Sequence, residues 1–305
     1  MCGVVAAVGI TARAALPLIR HRGPDAEGVV DVAGVSLAHT RLAILDLDRR
    51  SDQPFRSGAV TISFNGEVWN YKAVRADLEA LGRTFRTAGD TEVVAAALDA
   101  WDPDEALRRL DGMFAIAWAD DRRPGVLQAA RDRFGEVPLH LAWWADAFAV
   151  ASEVAPLLAL GAPPSEVRWL GPGERLTLLR PGALDFVRWY DPPAEPVPVT
   201  LEEAGARVRK LLRAGVTQRA VSDAPVCTLL SGGIDSAIVA AFLARVVPGL
   251  VAYHAVMDER SPDLVAARET AVRSSAPSSS PTRRRWRSGG PASFSPAGCA
   301  RTGSR

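Results

Sequence analysis

Residues 191–198 read Asp-Pro-Pro-Ala-Glu-Pro-Val-Pro, four prolines in eight positions. Proline fixes φ and has no N–H, so this stretch can neither continue a helix nor lie inside a sheet. It reads as a linker over 191–199 that separates two folding units. A chain of 305 residues has room for about two cores, since single cores stop growing at roughly 250 to 300 residues. The two sides of the linker also follow different patterns.

Before the linker the pattern is mostly β. Gly3 to Gly9 is a short apolar run bounded by glycines, which suits a buried strand with Cys2 at its start. Further strands are expected at 35–44, 60–65, 113–118, 126–132, 139–144, 148–151, 175–179 and 186–190, with the turn Asp120 to Gly125 joining a hairpin. Two helices interrupt them. One runs from Tyr71 to Gly82 with Val74, Leu78 and Leu81 on one face, and the other opens at Asp90 with Gly89 or Asp90 as cap and Val93, Val94, Ala97, Leu98 and Trp101 as its stripe. After the linker, Thr200 caps an amphipathic helix to about Ala220. A strand (225–230), a helix to about Val247, a strand (250–257) and a helix (263–272) follow. Strand, helix, strand, helix is the beginning of a parallel α/β sheet. The divisions are therefore 2–190, 191–199, 200–272 and a tail, 273–305.

Composition narrows the class. The chain is 48% hydrophobic with a net charge of +1. It has no apolar run near the roughly 18 residues that span a bilayer and does not open like a signal peptide, so a soluble, cytoplasmic protein with no membrane partner is expected. Seven arginines and no acidic residue fall in 273–305, which leaves the rest at about −6. That balance argues against a nucleic-acid partner. Cys2, Cys227 and Cys299 are too scattered for a disulfide framework or zinc site; Cys227 reads as core.

Cys2 follows the initiator methionine. If Met1 is removed, one residue carries a free α-amine of pKa roughly 7.7 to 8.0 beside a thiol of about 8.5, a base next to its nucleophile. The stretches Met1-Cys2-Gly3-Val4-Val5, His21-Arg22-Gly23-Pro24-Asp25, Ala38 to Ile44, Phe64-Asn65-Gly66-Glu67 and Ala88-Gly89-Asp90-Thr91-Glu92 together resemble the class II glutamine amidotransferase domain of the N-terminal-nucleophile hydrolases. The resemblance implies an α+β fold of four layers, αββα. It implies Cys2 as nucleophile, Asn65 and Gly66 as oxyanion donors, and Arg41, Leu42, Glu67 and Asp90 around the substrate glutamine. Arg41 suits the α-carboxylate and the two acids suit the α-ammonium. Taken singly, Asn65-Gly66 would be a hairpin turn, Asp90 a cap, and His39 and Arg41 solvent-facing alternation. His21 and Asp25 are assigned to loop structure. Two departures stand out: the stretch between Gly9 and His21 is shorter than usual, and Trp69 replaces an aromatic of another kind.

Ser231-Gly232-Gly233-Ile234-Asp235-Ser236 lies between a strand and a helix, where backbone N–H groups can cradle phosphate. It resembles the pyrophosphate loop of ATP pyrophosphatases. Placed after a glutaminase domain, it makes the chain similar to glutamine-hydrolysing asparagine synthetases. That resemblance implies ATP as substrate on Leu230, Ser231, Gly232, Gly233, Asp235, Ser236 and Val256, with Mg²⁺ on Asp235 and no prosthetic group. Ammonia from glutamine would then amidate aspartate activated by ATP; a homodimer is compatible with this reading. The alternatives are an amidotransferase acting on another carboxylic acid and a non-functional truncated gene product. A β-lactam-synthetase type with a dead glutaminase is disfavoured by the intact Cys2 and Asn65-Gly66. The resemblance stops near Val272, so glutaminase activity without asparagine synthesis is expected of this polypeptide. The run from Arg273, without hydrophobic periodicity, reads as a disordered or out-of-frame tail. Translating the other two DNA frames beyond Val272 is expected to recover a strand-and-helix pattern; its absence in both would remove the frameshift explanation.

Overall fold

The computed structural model describes residues 1–180, 183–256, 258, 260–273 and 287–289. By internal contacts it divides into Met1–Glu195 and Pro196–Arg305.

In the first unit the elements run β1 (Gly3–Val8), a 3₁₀ segment (Ala12–Arg22), β2 (Ala26–Val32), β3 (Val35–Arg41), β4 (Phe55–Ser57), β5 (Val60–Val68), α1 (Tyr71–Ala80), α2 (Asp90–Ala100), α3 (Pro103–Arg109), β6 (Gly112–Asp120), β7 (Leu127–Arg131), β8 (His140–Trp144), β9 (Ala147–Ala151), α4 (Val154–Ala159), β10 (Arg168–Trp169), β11 (Glu174–Arg180) and β12 (Ala183–Arg188). They build two antiparallel sheets of six strands, ordered β10-β8-β9-β1-β3-β2 and β12-β11-β7-β6-β5-β4. Three apolar clusters glue the layers. Ile62, Phe64, Phe114 and Trp118 meet α1, α2 and α3 on the outside of the second sheet. Val4, Ala6, Leu37, Ala115, Ala117 and Leu176 fill the space between the sheets. Val5, Ala7 and Ala149 meet the 3₁₀ segment and α4 on the outside of the first. The order of layers is thus helix, sheet, sheet, helix, the αββα arrangement.

Several boundaries differ from the sequence reading, each for a local reason. β3 stops at Arg41, and β5 runs on through Asn65-Gly66 to Val68, so that dipeptide is not a turn. Gly66 lies opposite Phe114 with φ 155°, and a Cβ there would come 2.1 Å from the Met113 carbonyl oxygen. Close approach of the neighbouring strand is what requires glycine. Helix α1 ends at Ala80; Leu81 turns out to solvent at 60% exposure, while Gly82 follows at φ +84° as the expected stop. Helix α2 is capped by Gly89, and Asp90 to Leu98 are all buried. It is covered on every side rather than along one stripe. The strands β2 and β4, the 3₁₀ segment and α4 are not foreseen, being short or without clean periodicity.

The second unit contains α5 (Leu201–Arg219), β13 (Cys227–Leu229), α6 (Ile234–Val246), β14 (Val251–Ala255), α7 (Pro262–Arg273) and β15 (Arg287–Gly289), with β13, β14 and β15 paired in parallel. Thr200 and Glu203 cap α5 reciprocally, yet none of its residues is buried. Its helicity is set by local sequence rather than by a covered face. Cys227 begins its strand and is half-buried, not core. The expected tail lies mostly outside the described residues, as does Cys299; its exception is β15, whose three residues pair with the edge of β14 without any sequence periodicity to announce them.

Asp132 joins β7 to β6. Its carboxylate is fully buried and accepts backbone N–H groups from Phe114, Phe134, Glu136 and Val137 at 2.9–3.1 Å. Asp132→Ala would strand all four donors, and each unmet buried donor costs roughly 1–3 kcal/mol. The variant is expected to lose roughly 3 kcal/mol or more, measured as a lower midpoint in urea or thermal melts of the chain.

Candidate active site

Strand alternation assembles the site. Val4 and Ala6 of β1 and Leu37 of β3 point between the sheets, and side chains on a strand return to one face every second residue. Cys2, His39 and Arg41 therefore share that inner face. On β5, Ile62 and Phe64 point to the helices, so Thr61, Ser63 and Asn65 point inward. The space between the sheets is apolar along most of its length and becomes polar at the Cys2 end. A hydrogen bond across it, His39 Nδ1 to Ser63 Oγ at 3.1 Å, ties the two sheets there.

Cys2 is half-buried. Its Sγ accepts the Leu42 N–H at 3.3 Å and lies 3.7 Å from the Leu42 carbonyl. Burial pushes the thiol pKa up, while the Leu42 N–H works to lower it. Leu42 thus meets the nucleophile through its backbone. In this structure Met1 carries the α-amine; burial lowers that amine's pKa, with Arg22 acting in the same sense and Cys2 and Glu67 against it. Arg22 donates from Nε to the Cys2 carbonyl at 2.9 Å and from one terminal nitrogen to Glu153 at 2.8 Å. Its other terminal nitrogen is buried without a partner.

Asn65 is 1% exposed, and its side-chain nitrogen has no hydrogen-bond partner. Such a donor is costly unless something brought to the site accepts from it. Gln53 braces the same strand by bonding the Phe64 N–H and carbonyl at 2.7 and 3.0 Å, the pairing that a neighbouring strand would otherwise provide.

Asp90 accepts the Val68 N–H at 2.9 Å. Burial raises its pKa and, together with repulsion from Asp90, raises that of Glu67 too. Two carboxyls that resist losing their protons together suit an incoming cation, whose charge relieves that repulsion. His39 is driven the other way, to about 3, by burial and then by Arg41; it is neutral at ordinary pH.

Arg41 is put to a use the sequence does not announce. Its terminal nitrogens donate to the carbonyls of Leu45, Asp46 and Asp48 and to the Asp52 carboxylate. The guanidinium is the hub of the 45–52 loop, and an incoming carboxylate would meet its Nε or compete with those carbonyls. Asp46 in turn accepts the Ala88 N–H at 2.7 Å, which links this loop to the segment leading into Asp90. Asp25 accepts the Ala43 N–H nearby in the chain, whereas His21, expected to serve only local loop structure, meets Glu153 just past the end of β9.

These features coincide with what the chain is similar to. A model of the glutamine amidotransferase domain matches residues 1–169, more than half of the chain. The chain belongs to the glutamine amidotransferase family. A second model, asparagine synthase, matches residues 207–277. Among relatives of this amidotransferase, an asparagine synthetase [glutamine-hydrolyzing] from Sandersonia aurantiaca is 33% identical over 294 residues, covering 89% of this chain and 54% of that protein. Asparagine synthetase [glutamine-hydrolyzing] 3 from Bacillus subtilis is 32% identical, covering 74% of this chain and 41% of that protein. The chain spans about half the length of these relatives. In fold it is similar to a glutamine phosphoribosylpyrophosphate amidotransferase from B. subtilis, with TM-score 0.54 and 21% identity over 85% of this chain and 67% of that one. The fold is that of the N-terminal-nucleophile glutamine amidotransferases.

In the second unit the 231–236 loop follows β13 and opens α6, with Gly233 as its cap. Gly232 has φ +94°, and a Cβ there would lie 2.4 Å from the Asp263 carbonyl oxygen. Ser231 and Ser236 fold the loop on itself, their hydroxyls 3.0 Å apart and the Ser236 Oγ donating to the Gly233 carbonyl. Asp235 is exposed in the first turn of α6. It offers one carboxylate, and no cluster of three or more metal-ligating side chains exists among the described residues. Leu230, expected to lie beside a nucleotide, immediately precedes that loop. Its side chain is buried with Ala240 and Ala267, and its carbonyl accepts from His254 Nδ1 at 2.6 Å. Val256 is half-buried just past β14.

Sequence reasoning missed Arg22 as a functional residue, although it lies inside a quoted stretch, and missed Ser152, Glu153, Asp46 and Gln53. Their roles depend on partners distant in sequence, for which no local signal exists.

The raised Glu67 pKa fixes a sign. The folded protein holds a proton there that the unfolded chain releases above its ordinary 4.5, so this contribution to stability is full below 4.5 and declines as pH rises. Glu67→Gln stays neutral and is expected to flatten that decline in thermal midpoints measured from pH 5 to 9; parallel curves for parent and variant would contradict it.

Proposed function

We infer that the first unit is a glutaminase whose ammonia serves an asparagine-synthetase reaction begun on the second. The observation that carries the reading is the pairing of Cys2, its sulfur seated on the Leu42 N–H, with the unpartnered amide nitrogen of Asn65. After loss of Met1, the Cys2 α-amine takes the thiol proton and the thiolate attacks the glutamine side-chain carbonyl. The tetrahedral oxyanion is stabilised by the Asn65 side chain and the Gly66 N–H. The Cys2 α-ammonium returns that proton to the amide nitrogen, ammonia leaves, and water releases glutamate from the thioester, restoring the thiol. Arg41 holds the substrate carboxylate, Leu42 lines the site, and Glu67 and Asp90 hold the ammonium.

On the second unit, ATP rests its phosphates on Ser231, Gly232, Gly233 and Ser236 at the N-terminus of α6. Asp235 would supply a carboxylate to Mg²⁺, which would offset the negative charge of the ATP phosphates. Leu230 contributes through its backbone, and Val256 borders the nucleotide. In the complete reaction the acceptor is aspartate, activated by ATP before ammonia displaces AMP; this 305-residue chain, which spans about half the length of its relatives, is expected to release ammonia without making asparagine. The protein is proposed to be cytoplasmic, and a homodimer is compatible with the reading. Among the described residues no helix is long and apolar enough to cross a membrane.

Ammonia release from glutamine tests the reading. Intact mass is expected to show Met1 removed. Cys2→Ala is expected to abolish release, and Asn65→Ala to lower kcat by roughly 10²–10³-fold, the cost of one oxyanion donor. Undiminished release by Cys2→Ala would end this account.

A further inference from the structure

Processing leaves Cys2 attached by a single peptide bond, on its C-terminal side. Apart from the freed α-amine itself, whatever orients the sulfur acts through the Cys2 carbonyl, through the sulfur, or through the first residues of β1. Leu42 accounts for the sulfur. The other two anchors converge on one corner, the end of β9 where it passes into α4.

Ser152 is fully buried there. Its Oγ accepts the Val4 N–H at 3.0 Å, and its own N–H donates to the Val4 carbonyl at 2.9 Å. This pins the start of β1 one residue beyond the last paired position, Val5 with Ala151. Glu153, the N-cap of α4, accepts from Arg22 at 2.8 Å and from His21 Nε2 at 2.8 Å. Arg22, largely buried, carries the constraint onward to the Cys2 carbonyl at 2.9 Å. Partial burial would raise the Glu153 pKa, but its hydrogen bonds from Arg22 and His21 outweigh this and hold the carboxyl below its ordinary range, so it stays ionised at neutral pH.

We propose that Glu153 is a positioning residue for the nucleophile: by fixing the Arg22 guanidinium it holds the Cys2 carbonyl and so the direction of the sulfur. It touches neither substrate nor reacting atoms. The proposal rests on the glutaminase reading and adds to it a residue 131 positions from Arg22 in sequence. Misplacing a reacting group by about 1 Å can cost on the order of 100-fold in rate. With Leu42 still holding the sulfur, a loss on the order of tenfold is expected.

The experiment compares the 305-residue parent with Glu153→Ala and Glu153→Gln in two assays. One is steady-state ammonia release. The other is the rate at which iodoacetamide alkylates Cys2, located by peptide mass and independent of glutaminase turnover. Glu153→Ala is expected to lose roughly tenfold in kcat with KM changed by less than about twofold, and to slow Cys2 alkylation in parallel. Glu153→Gln keeps an acceptor oxygen for the Arg22 N–H and should recover most of both rates. Thermal melts identify a variant that has unfolded; if Glu153→Ala has, Glu153→Asp takes its place with the same expectation in smaller measure. Equal rates for parent and variants, or a loss confined to KM, would overturn the proposal. A parent that releases no ammonia would instead overturn the glutaminase reading, and the alkylation ratio alone would then decide the role of Glu153.

Discussion

The register of β1 between β3 and β9 is the constraint on which the rest of the first unit depends. Gly3 pairs with Thr40 and Val4 with His39 on one side, while Val5 pairs with Ala151 on the other. A slip of one residue would turn every β1 side chain to the opposite face. Val4 and Ala6 would leave the space between the sheets, and Cys2 would leave its seat on Leu42. The same apolar packing that stabilises the sandwich therefore also aims the nucleophile. Structure and chemistry share one set of contacts.

The polar end of that space holds buried groups without a partner, the His39 Nε2 among them. Most buried polar groups in proteins are satisfied, and Asp132, Glu92 and Gln53 here each bind several backbone groups. Against that background, the Asn65 amide nitrogen and one terminal nitrogen of Arg22 stand unpaired near Cys2. Close by, Glu67 and Asp90 resist ionising together. Donors without acceptors and acids without a cation describe the complement of an amino-acid amide. Such a site costs folding stability and gains affinity when its substrate arrives.

The second unit shows the opposite balance. Helix α5 has a complete capping box, and the 231–236 loop is closed by its own serines. Among the described residues, however, its buried core is small, centred on Leu230, Ala240 and Ala267. Local sequence supplies the elements, and tertiary burial adds little to them within this unit. That is why the order of strand, helix, strand and helix could be read so directly.

The amino-acid sequence by itself determined the division at the prolines, the strand-rich and strand-helix characters of the two sides, and the identity of most candidate groups. Cys2, Asn65, Gly66, Glu67 and Asp90 stand in short stretches whose residue types suffice to suggest their chemistry. Only the tertiary structure decided which of their neighbours matter. It took Asn65-Gly66 from a turn into β5, committed Arg41 to the 45–52 loop, buried Leu230 and brought Ser152 to Val4 and Glu153 to Arg22. Propensity and motif are local, whereas hydrogen bonds between residues more than a hundred positions apart exist only once the strands have paired.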